Sequence, residues 1–73
     1  MLKEITISNF SEVRKIVSAA ASCFSEINVH DKNGSIADAK SILCLMSLDF
    51  SAPVVLVSDD EAELNRVYFS VAQ

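Results

Sequence analysis

Between Ile7 and Val13 the spacing of apolar residues changes from two to about 3.6, so the chain must pass from strand to helix within its first thirteen residues. Over residues 2–7 apolar and polar side chains alternate. Ile5 and Ile7 share a side with Lys3, and the β-branched Thr6 lies between them, which predicts a first strand. Ser8-Asn9 breaks that pattern. Val13, Ile16, Val17, Ala20, Ala21 and Phe24 then fall at i, i+3, i+4, i+7, i+8 and i+11, one continuous stripe down a helix predicted over 10–23. Asn9 with Glu12 has the form of a capping box, and Ser11 competes as N-cap. The consecutive alanines 19–21 allow this helix close to a sheet.

The period returns to two over residues 26–31, with Ile27 and Val29 on one side and Asn28 and His30 on the other. Asn33-Gly34 follows, a strong local hairpin signal, and predicts a return strand over 35–39 containing Ile36, Ala37 and Ala39. Residues 41–48 are apolar enough for a short helix or a buried strand; Ala39-Lys40 before them and Leu45-Met46 within them favour helix. That segment holds more apolar surface than a two-turn helix directs at a core, so part of it is expected to face water. Pro53 opens a central or fully buried strand through Val57, proline being tolerated at a strand start. Ser58-Asp59-Asp60-Glu61 reads as a capping box with acids in the first turn, and Leu64, Val67, Tyr68 and Val71 then repeat at helical spacing over 60–71.

The expected order is β-α-β-β-α-β-α. It predicts an α/β (α+β) fold, an open-faced β-sandwich with three helices on one face of a four-stranded, mostly antiparallel sheet. Seventy-three residues allow one domain, 1–73, with one modest core. A net charge of -4 and the lack of any Lys/Arg cluster beyond Arg14-Lys15 argue against nucleic acid as partner. Cys23 and Cys44 fit no metal-ligand spacing and are expected as buried small hydrophobes in a reducing compartment, with no metal or cofactor. No apolar run reaches the roughly 20 residues that span a membrane, and Met1-Leu2-Lys3-Glu4 carries no hydrophobic signal region. A cytoplasmic location is the expectation.

The segment order, the Asn-Gly hairpin and above all the string Ala39-Lys40-Ser41-Ile42-Leu43-Cys44-Leu45-Met46-Ser47-Leu48 resemble the phosphocarrier HPr family of the bacterial sugar phosphotransferase system. The resemblance runs from Ile5 to about Val67, and Lys-Ser-Ile-x-x-x-Met-Ser-Leu is similar to the low-GC Gram-positive members. Asp60-Glu61 also matches the acidic start of the last helix there. The family implies a carrier phosphorylated on a histidine at the start of its first helix, beside an arginine and a proline. Its regulatory serine opens the second helix. Anchored on Phe24 and the alanine-rich helix, the resemblance puts Phe10 at the histidine, Glu12 at the arginine and Val13 at the proline. None of the three functional residues is present. Ser41 falls on the regulatory serine, and Ile42, Leu43 and Met46 fall on apolar residues that dock partners.

Phenylalanine offers no nucleophile and Glu12 repels an incoming phosphate, so phosphocarrier activity is not expected. His30 reads as a surface histidine beside the hairpin; a displaced phosphoacceptor is the sharper alternative. Ser41 can simply cap its helix, or, phosphorylated, bring charge beside the apolar patch. One functional class is therefore a non-catalytic regulatory or interaction protein. Its partners would be phosphotransferase-system proteins, a kinase or a transcription regulator bound through the second helix, with self-association as a further expectation. The other is a divergent binding module or decayed paralogue unrelated to sugar transport. For an enzyme, no nucleophile–base–orienter set is visible.

Overall fold

The computed structural model describes residues 1–72; Gln73, the last residue of the expected domain, lies outside the described residues. In order, the described elements are β1 (Leu2–Ile5), α1 (Phe10–Ala21), β2 (Asn28–His30), β3 (Ile36–Asp38), α2 (Ile42–Leu45), β4 (Val54–Val57) and α3 (Glu61–Val71). The strands form one sheet in the order β1-β4-β2-β3, and every neighbouring pair is antiparallel. β4 is internal, as its run of apolar residues predicts.

Register sorts the strand residues onto two faces. Leu56 lies opposite both Lys3 and Val29, and Val29 opposite Ala37, so Ile5, Val54, Leu56, Val29 and Ala37 turn towards the helices. With Val13, Ile16 and Ala20 of α1 and Leu64, Val67 and Val71 of α3 they make one buried core. The other face is open: Leu2 and Ile36 are exposed, and Val55 and Val57 only half-buried. β4 is thus central without being covered on both sides.

The hairpin forms, with its turn placed one residue before Asn33-Gly34. The Gly34 amide donates to the Asp31 carbonyl at 3.1 Å, and the Asp31 amide to the Ser35 carbonyl at 3.0 Å. Lys32-Asn33 are the central pair, and Gly34 takes φ +85°, the left-handed position that follows such a turn.

Several sequence expectations are corrected. Ile7 is buried but lies beyond β1, which ends at Ile5. The stripe on α1 stops early: the helix ends at Ala21, the Cys23 amide donates to the Ala20 carbonyl, and the chain then turns away. Ala21 is exposed, Phe24 is 100 % exposed, and Cys23 enters the core instead. α3 is capped by Asp60, whose Oδ1 accepts from the Glu63 amide at 3.1 Å, whereas Ser58 is buried and accepts from the Asp60 amide. α2 is a single helical turn continued by the tighter bonds of the Ser47 amide to the Cys44 carbonyl and the Leu48 amide to the Leu45 carbonyl. Of its four helical residues only Leu45 is buried, so Cys44 is an exposed free thiol and not a core residue.

Candidate functional site

Asn9 caps α1 through its side-chain oxygen, which accepts from the Glu12 amide at 3.0 Å, and this sets Phe10 as the first helical residue. Glu12 reaches back one residue beyond the cap and accepts from the Ser8 amide at 2.6 Å. Its carboxylate is therefore engaged in holding the entry to the helix and is only half-exposed. Val13, on the same turn, is buried in the core. The start of α1 thus presents a half-exposed aromatic ring at Phe10, a helix-capping carboxylate at Glu12 and a core valine at Val13.

α2 stands beside this helix start. Ser41 caps it, its Oγ accepting from the Cys44 amide at 3.3 Å. Leu45 and Leu48 go into the core, Ile42 packs half-buried against it, and Leu43 and Met46 remain in water, 82 % and 54 % exposed. The excess of apolar residues noted in the sequence is therefore resolved by pointing two of them outward. Phe10, Val13, Met46, Leu48 and Phe50 line an open apolar groove of about 370 Å³ together with Ile7-Ser8-Asn9. On the other side of the Phe10 ring a second depression of about 350 Å³ is formed with Arg14, Val17 and Ile42.

One carboxylate fixes the far wall of the groove. Asp31, buried at the hairpin, accepts from the amides of Asn33 and Ser35 through one oxygen and from the Asp49 amide through the other, at 2.9, 2.9 and 3.0 Å. The Asp49 amide above all, then those of Ser35 and Asn33, hold the Asp31 carboxyl below its ordinary pKa against the opposing effect of burial. Asp49 is itself lowered to about 2 by the Ser51 hydroxyl and amide, with help from Lys32 at 3.6 Å. These bonds stitch the β2–β3 turn to the segment carrying Leu48 and Phe50. An Asp two residues before Asn-Gly is the sequence signal for such a side-chain-to-backbone turn; the tie to Asp49, eighteen residues away, has none.

His30 lies on the open face of the sheet between Val55 and Ile36 in the strand register, away from the helix layer that carries Phe10. Among the described residues no cluster of His, Cys, Asp and Glu is arranged to hold a metal ion. No helix among them is long and apolar enough to cross a membrane.

No family model matches the sequence, and no curated protein matches it significantly. The backbone does match. A crystal structure of the phosphocarrier protein HPr from Bacillus anthracis superposes with a TM-score of 0.74 at 16 % identity, covering 99 % of this chain and 93 % of that one. The chain has the HPr fold. At this identity the likeness speaks for the HPr-like architecture, and the chemistry rests on the side chains described above.

Proposed function

We propose that the chain is an HPr-like domain acting as a non-catalytic regulatory or interaction protein related to the bacterial sugar phosphotransferase system. It docks a cytoplasmic protein partner, a phosphotransferase component or a kinase or transcription regulator, through Ile42, Leu43 and Met46. The observation that carries this reading is the groove, in which Phe10 and Met46 form one apolar surface. A half-exposed phenylalanine and methionine side by side are suited to binding, since aromatic and thioether side chains supply large contact area and adapt to a partner's shape. Ser41 is the regulatory position, because a phosphate there would add about two negative charges beside Ile42 and disturb the cap on Cys44.

The test has two arms. Incubated with phosphoenolpyruvate and the general energy-coupling enzyme of the system, the protein is expected to acquire no acid-labile phosphate. Titrated with purified phosphotransferase components, the kinase that phosphorylates the regulatory serine of such carriers and a cognate transcription regulator, it is expected to show amide shifts confined to α2 and the first turn of α1. Phosphate recovered on His30, or shifts centred on the open face of the sheet, would overturn the reading.

A further inference from the structure

Phe50 forms one wall of the groove, yet the chain around it has no backbone ladder of its own. Between α2 and β4 the last backbone-to-backbone bond among the described residues is that of the Leu48 amide to the Leu45 carbonyl, and Phe50 lies beyond it. The segment is held from outside. Asp31, only 8 % exposed, accepts from the Asp49 amide at 3.0 Å through Oδ2, which fixes the peptide between Leu48 and Asp49. Leu48 and Phe50, on either side of Asp49, both line the groove. The same carboxylate accepts through Oδ1 from the Asn33 and Ser35 amides and so shapes the hairpin turn.

The remaining contacts between the two segments are of a weaker kind. Lys32 meets Asp49 at 3.6 Å and the Ser51 hydroxyl at 3.0 Å, and the Asn33 amide group reaches Asp49 at 3.5 Å, all between side chains in contact with water. Exposed pairs hold a chain loosely, because water competes for each partner. A buried carboxylate accepting three amides holds it firmly, since a donor that loses its acceptor there is left unsatisfied.

We infer that Asp31 is the positioning residue of the groove: one buried carboxylate makes the hairpin turn and the Leu48–Phe50 wall a single unit, so the shape of the groove follows the conformation of the hairpin. No hairpin residue lines the groove itself. The turn can be perturbed without touching it, because Gly34 has φ +85° and open space where a side chain would stand. Linkage is reciprocal, so an occupant that orders Phe50 also slows exchange at the hairpin amides. A role in docking rests on the function proposed above, whereas the coupling is measured without a partner, so the two can fail separately.

Nuclear magnetic resonance of the full chain tests it. In the wild type the amides of Asn33, Ser35 and Asp49 are expected to show protection within about threefold of one another, because one carboxylate holds all three. Asp31→Asn keeps a carbonyl oxygen for the turn amides but sets an NH2 group against the Asp49 amide. Exchange at Asp49 is expected to rise tenfold or more, and the Met46 methyl and Phe10 ring signals across the groove to move, while the β4 amides hold their positions. Asp49→Ala loses the contacts with Lys32, Asn33 and Ser51 but keeps its backbone amide, and is expected to leave the Met46 and Phe10 signals in place. Gly34→Ala, which strains the left-handed turn residue, is expected to move those two signals in the otherwise wild-type chain and not in Asp31→Asn. Met46 and Phe10 signals unmoved in Asp31→Asn with its fold verified by circular dichroism, or moved as far in Asp49→Ala, would overturn the inference. Should Asp31→Asn not fold, the other two arms decide: unequal protection at the three amides, or a Gly34→Ala effect confined to the hairpin, would overturn it equally.

Discussion

Leu43 and Leu45 are two residues apart on the same short turn, yet one is 82 % exposed and the other fully buried, which makes them a sharp test of the site. Truncating a buried leucine to alanine costs about 2–5 kcal/mol through lost burial and the cavity left behind. An exposed position changed to aspartate usually stays within about 0.5 kcal/mol. At roughly 2.1 cal/mol/K of unfolding entropy per residue, a chain of 73 residues loses about 6–7 °C of thermal midpoint per kcal/mol. Leu45→Ala is therefore expected to lower the midpoint by about 15–30 °C, a large share of the margin of a domain this small. Leu43→Asp is expected to move it by no more than about 3 °C. Met46, half in water against Leu48 and Phe50, falls between, with Met46→Asp costing about 1 kcal/mol. Differential scanning calorimetry at one pH and ionic strength gives all three midpoints. Should Leu43→Asp unfold the protein as readily as Leu45→Ala, α2 is packed as a core helix and the exposed patch does not exist.

Asp31, Asp49 and Glu63 all have pKa values below their unfolded ones, so their contribution is complete above about pH 4–5 and is lost as the pH falls towards about 2. The thermal midpoint is expected to be flat from pH 7 to 5 and to fall below 4, with Asp31→Asn shrinking that fall; an unchanged profile in the variant would refute the clamp. Under native conditions a thiol reagent is expected to label Cys44 at the rate of a free thiol and Cys23 far more slowly, read by mass spectrometry of digested protein. Glu63→Ala is expected to raise hydrogen exchange at the amides of Phe24 and Ser25 by tenfold or more while leaving the core of β4 protected, since those two donors then lose their acceptor.

What the sequence by itself determined about this protein is its local alphabet. The change of apolar period between Ile7 and Val13, the Asn-Gly hairpin and the runs at 54–57 and 60–71 each depend on neighbours within one or two turns, and each element forms with its ends displaced by no more than a residue or two. The string from Ala39 to Leu48, too, led to the HPr architecture at an identity with the Bacillus anthracis protein of only 16 %. Tertiary structure decided which apolar residues are used. Periodicity put Phe24 on the buried stripe of α1, but the helix ends at Ala21, and Glu63, thirty-nine residues away, captures the Phe24 amide and holds the backbone beneath its exposed ring. Composition put Cys44 inside, but a single turn has room for only one inward side chain, and Leu45 took it. Asp31 shows the same limit, since a turn signal is visible beside it and its bond to the Asp49 amide is not. Such choices depend on contacts between residues far apart in the chain, where the spacing of side chains along a helix or strand carries no information.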